Sequence, residues 1–300
     1  PNQTQAPITV NNLLIPEGAS FTNNNPSLRV RVLGDLDATG GIDGTGPVIL
    51  LGGSIKGTVE RIQVWEPSSL SGDLTVTDSI ELVEVEDDDN DASLTLSGHT
   101  VTAQTFQCCN NGAVGLVMAD PRDRLIVEGD SRFRLSTGST LSAGEIELRG
   151  DVQFCAGGLE TPFRSTGTRV LVSGQGGQSF NEEFGCAIGA PVFAEFELVA
   201  PANLTLNIPV QQTGDLVVPE GASIAYLGGS SAIFSTVGGD IDLSGSMTVD
   251  LPTTAKLSVS GTLKLNATGI LDDAGDIINL SLCDPKDGTI VNVDPCPPPP

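Results

Sequence analysis

The chain has 300 residues and a formal net charge of −24, with 38 acidic side chains against 14 basic ones. Such a surface repels phosphate backbones and anionic lipid, which excludes nucleic acid as a partner. No apolar run approaches the roughly 18 residues of a membrane helix, so membrane insertion is not expected. Trp65 and Tyr226 are the only Trp and Tyr, and the expected core therefore stacks aliphatic layers rather than large rings.

In chain order, APITVNNLLIP (Ala6 to Pro16) reads as a first strand segment, serving either as a cap or as a contact with a neighbouring subunit. LLIPEGAS (Leu13 to Ser20) and GDLDATG (Gly34 to Gly40) follow as strand, Gly turn and second strand. Within DLDATGGID, the oxygens of Asp35, Asp37, Thr39 and Asp43 have the D-x-D-x-T-G start of a calcium loop. The bidentate Glu expected at the twelfth position is replaced by Gly46. LTVTDSIELVEVE (Leu74 to Glu86) alternates with period two, as a half-buried strand does. The acidic run that follows, with Glu86, Asp87, Asp88, Asp89 and Asp91, is read as water-solvated. His99, the only histidine, lies at a polar turn. Without a G-x-S-x-G or a partner constellation it is a turn residue, not a catalytic base.

LIVEGDS (Leu125 to Ser131) with GEIELRGDV (Gly144 to Val152) is a weaker copy of the first unit. LVVPEGAS (Leu216 to Ser223) with GDIDLSG (Gly239 to Gly245) is a close one. Asp240 and Asp242 alternate along the latter as outward, solvated carboxylates. AKLSVSGTLKLNATG (Ala255 to Gly269) repeats the alternation. Recurrent strand-turn-strand units of this kind specify an all-β fold, a right-handed parallel β-solenoid (β-helix), with a β-sandwich as runner-up. One solenoid is expected over residues 1–282. CDPKDGTIVNVDPCPPPP (Cys283 to Pro300) then reads as a disulfide-closed tail leading into a stiff polyproline segment.

Six cysteines form an even set. Their placement predicts Cys155 with Cys186 and Cys283 with Cys296, while the adjacent Cys108 and Cys109 form a vicinal bridge or pair elsewhere. With no C-x-x-C or Cys/His cluster, zinc is not expected. Oxidised cysteines point to a secreted or cell-surface protein.

TGTRVLVSGQGGQSF (Thr166 to Phe180) and FAEFELVAPANLTLNIPV (Phe193 to Val210), continued by GDLVVPEGASI, resemble the β-helical repeat regions of large bacterial secreted surface proteins. The resemblance spans about Thr140 to Leu271, and Cys155 and Cys186 depart from the cysteine-poor pattern of those regions. It implies an adhesin-like or scaffold role. The expectation is a non-enzymatic extracellular structural protein that needs no cofactor. It would be the subunit of a head-to-tail filament or the stalk of an adhesin, with another copy, a surface glycan or a protein receptor as partner. The alternatives are a carbohydrate-active β-helix, either lyase or hydrolase, marked by a groove with paired carboxylates, and a receptor-binding fibre domain.

Overall fold

The computed structural model describes residues 6–83, 92–108, 115–134, 139–155, 161–183, 189–227, 235–251, 256–273, 278–285 and 288–292. Among them every regular element is a strand and none is a helix. Strand pairings run parallel, as between Val30–Val32 and Val48–Leu50 or between Leu216–Val218 and Ile241–Leu243. A sandwich built from hairpins would pair its strands antiparallel, so the chain is a parallel β-solenoid, of about 11 turns in all. Packing separates residues 1–146 from residues 147–300 as two compact units.

Parallel register makes each inward position stand on the equivalent position of the next coil. In the first unit one column runs Ile8, Val30, Val48, Ile62, Ile80 and Phe106. Two residues further along the same strands runs Val10, Val32, Leu50, Val64, Leu82, Cys108 and Phe133. Cys108 is buried because it occupies a core column. In the second unit Val170, Phe196, Leu216, Ile241 and Leu263 form a comparable column. Each enclosed Val, Leu or Ile contributes about 1.5–3 kcal/mol relative to exposure, and period-two alternation follows because every second residue faces this interior.

The rings depart from the purely aliphatic stack expected from composition. Phe154, Phe163, Phe180, Phe193 and Phe196 cluster inside the second unit at centroid separations of 5.1–6.2 Å. Phe106 and Phe133 meet at 5.4 Å in the first. Phenylalanine carries no polar atom, so it fills a wide coil interior without needing a hydrogen-bond partner.

Two corner devices explain the sequence repeats. In Pro16-Glu17-Gly18-Ala19 and Pro219-Glu220-Gly221-Ala222 the fourth N–H donates to the first carbonyl at 3.0 Å, and the glycines have φ of +80° and +84°. These are type II turns, which require such a residue third. The carbonyls of the first turn press on Gly40 of the next coil, and those of the second on Gly245. The final glycine of GDLDATG and of GDIDLSG is therefore dictated by the PEGA turn beneath it.

At the other corner, the Asp of five Gly-Asp pairs accepts a backbone N–H from the next coil. Asp35 takes Ser54 N at 3.0 Å, Asp73 takes Thr100 N at 2.9 Å and Asp151 takes Ser179 N at 2.7 Å. Asp215 takes Asp240 N at 2.7 Å, and Asp240 takes Thr262 N at 2.8 Å. Asn12 plays the same part beneath Asp35 N at 2.8 Å. Where the chain bends out of the ladder, the carboxylate replaces the missing carbonyl partner.

Gly245→Ala and Gly40→Ala should each lower stability by about 1–3 kcal/mol in equilibrium urea denaturation, because the added methyl meets turn carbonyls that cannot yield. Gly176, whose Cβ would touch nothing within 4 Å, should accept Ala within about 0.5 kcal/mol. Equal costs at the three positions would show that the corner contact is not what holds the glycine.

Candidate functional site

The strands Ile8–Val10, Leu13–Leu14 and Phe21–Thr22 form the first coil of the first unit, and each pairs with a described strand on one side only. Ile8 N–H donates to Arg29 O and Val10 O accepts from Leu33 N–H, both at 3.0 Å. The peptide groups of Thr9 therefore point to the opposite edge. Ile8 heads a column whose next members are enclosed, yet it is 45 % exposed, and Leu14, on the outward face in register with Asp37, is 66 % exposed. In the second unit, Ile278–Pro285 and Thr289–Asn292 likewise pair with described strands on one side only. These last strands lie partly in the segment expected to be a tail.

An open groove of about 520 Å³ on the second unit is lined by Arg169, Glu195, Phe196, Glu197 and Asp215. Glu195 and Glu197 alternate along Glu195–Leu198, so both point outward. Arg169 is ion-paired with Glu197. Sequence reasoning passed over this carboxylate pair. The signal was the E-x-E spacing of FAEFEL, shared with many solvated strands.

The expected calcium oxygens are not gathered at one point. Asp35 serves the corner and also accepts Ser54 Oγ at 2.8 Å. Asp37 accepts from Thr39 and lies 2.9 Å from Lys56 Nζ, while Asp43 is exposed at the end of its strand. Among the described residues no group of three or more His, Cys, Asp or Glu side chains could hold a metal ion. The Thr39 hydroxyl, and then Lys56, hold the Asp37 carboxyl below its ordinary value. Asp240 is lowered in the same way, first by Lys264 and then by the Thr262 N–H, and Arg122 brings Asp120 down to about 2. Burial pushes the Tyr226 hydroxyl up.

His99 sits in a turn, donating its N–H to Leu96 O at 3.1 Å, with Nδ1 3.8 Å from Asp73. Asp242 accepts from Asn266 at 2.6 Å on the outer face. Gln178, the last residue of G-x-G-x-Q, is buried and accepts Gly174 N–H at 2.8 Å while donating to Leu148 O and Gly150 O. Its amide thus pins the glycine turn, a role that the sequence pattern alone did not disclose.

Cys155 is buried just after Val152–Phe154, and the Cys108 sulfur lies 3.8 Å from Arg134 O. Cys283 stands in register with Leu263. Cys109, Cys186, Cys296 and the acidic run at 84–91 lie outside the described residues.

Carboxyl-detected NMR should find Asp37 titrating below the ordinary Asp range, and Lys56→Met should raise it. Because its folded pKa is depressed, the stability Asp37 contributes is present above the unfolded value of 3.8 and is lost as pH falls through the folded one. An unshifted Asp37 in the wild-type chain would refute the assignment. Peptide mapping without reduction should recover Cys155 joined to Cys186, and a free, alkylatable Cys155 in the unreduced denatured chain would count against that pairing.

Comparisons with family models, curated proteins and solved structures return no match to this chain.

Proposed function

We propose that the chain is a non-enzymatic, secreted or cell-surface structural protein, the subunit of a head-to-tail filament or the stalk of an adhesin, with no cofactor required for that role. The observation that carries this reading is the first coil, paired with described strands on one side only, where Ile8 is exposed above an otherwise enclosed column. A parallel edge accepts a further strand running in the same direction, and the last coil of a second copy supplies one. Such a contact joins unlike surfaces and continues until something stops it. The acidic surface opposes lateral clumping, and an even cysteine set suits an oxidising exterior.

The groove at Glu195 and Glu197 favours a second reading, a carbohydrate-active β-helix. Two outward carboxylates with an arginine beside them are the minimum equipment for general acid and base work on a glycosidic bond.

Analytical ultracentrifugation over a concentration series, with negative-stain imaging, separates the two. Concentration-dependent end-to-end assemblies that shorten or vanish in Ile8→Asp are expected. A chain that stays monomeric at every concentration, and releases reducing sugar from a polysaccharide until Glu195→Gln abolishes it, would replace the structural reading with the enzymatic one.

A further inference from the structure

The first unit carries a cationic and aromatic patch that its acidic composition does not lead one to expect. Arg29 and Arg31 on one coil reach Trp65 two coils further on, across Val48–Leu50. The Arg29 guanidinium lies 5.8 Å, and that of Arg31 5.6 Å, from the Trp65 ring centroid. Arginine stacked on an indole keeps its in-plane N–H donors available for a carboxylate. Five other arginines have acidic partners: Arg61 with Asp78, Arg122 with Asp120, Arg124 with Glu145, Arg149 with Glu147 and Arg169 with Glu197. Among the described residues neither Arg29 nor Arg31 has one. In a chain of net charge −24, two adjacent cations left without a carboxylate form a local exception in an otherwise repulsive field.

Two further observations point to a ligand. Among the described residues Arg31 Nε and Trp65 Nε1 are buried and have no hydrogen-bond partner, an unsatisfied state that calls for a physical reason. Arg29 also lines an open groove of about 240 Å³ with Pro26, Thr45, Pro47, Gln63 and Ser79. Pyrrolidine faces, hydroxyls and an amide suit a sugar ring and its hydroxyls. Arg61 and Glu81 also border the groove, but Arg61 is held by Asp78 and Glu81 accepts from Gln63 at 2.8 Å. The cations open to a ligand are therefore Arg29 and Arg31, two residues apart along one strand edge. A ligand that repeats its carboxylate along its length can meet both Arg29 and Arg31, whereas a lone small anion gains from only one.

We infer that the Arg29, Arg31 and Trp65 patch with its adjoining groove binds a carboxylated polysaccharide, a uronate-bearing glycan, with the guanidiniums taking carboxylates and the groove taking a sugar ring. This goes beyond the self-association reading and does not depend on it, since the patch is carried by a single copy.

Trp65 is the only tryptophan, so its emission reports the site directly. Titration of the full chain with trigalacturonate should give a saturable change in that emission, absent with neutral galactotriose and with acetate at equal carboxylate concentration. Arg29→Gln, at an exposed position, should weaken binding about tenfold with far-ultraviolet circular dichroism unchanged. Trp65→Phe, followed by calorimetry, should weaken it as well. No saturable response to trigalacturonate, an equal response to acetate or galactotriose, or undiminished binding by Arg29→Gln would each overturn the proposal. A negative result on single copies would leave the end-to-end assembly result untouched, so the two readings fail separately.

Discussion

Parallel hydrogen bonding between successive coils is the constraint on which everything else rests. It places each inward side chain directly over its counterpart, so a column tolerates changes of shape, from Val to Ile to Phe, far more readily than changes of polarity. Several exceptions carry their own partners into the interior, whereas Ser131 Oγ, in register with Phe106, has none among the described residues. Gln178 makes three hydrogen bonds to backbone groups, buried Gln212 donates to Asp215 O, and buried Asp273 accepts the Ile278 N–H at 3.2 Å. A polar group enclosed without such partners would cost about 1–3 kcal/mol.

The same constraint gives part of the negative charge a structural use. Wherever the chain leaves the ladder at a corner, an amide loses its carbonyl, and an aspartate is a compact acceptor that reaches one coil further. Asp35, Asp73, Asp151, Asp215 and Asp240 all serve in this way. At Asp240 a cation is added, because Lys264 lies 2.6 Å away. Acidity is therefore a feature of the scaffold before it is a feature of any partner.

What could be read from residues alone was what repeats locally. The PEGAS turns, the Gly-Asp corners and the period-two strands each recur within a short window, and they were sufficient for the all-β, stacked-coil architecture. Contacts between coils left no such trace. The five clustered phenylalanines of the second unit are scattered between Phe154 and Phe196 and meet only after winding. Trp65 likewise comes from a different coil than Arg29 and Arg31, and nothing in its local sequence marks it as their neighbour. The calcium motif shows the reverse case, a local pattern whose oxygens the fold spreads along a strand and assigns to Ser54, Thr39 and Lys56.

The columns stay in register although the chain between their members varies in length. The step from Val48 to Ile62 is short, and the step from Ile80 to Phe106 is much longer. Lengthening a surface excursion costs little, because closure entropy grows only with the logarithm of its length. An inward residue lost or gained would instead shift an entire strand to the wrong face. The fold thus separates heredity into two registers, one that must be copied faithfully and one open to experiment. Insertions between columns are where descendants of this chain can acquire new surfaces without renegotiating the core.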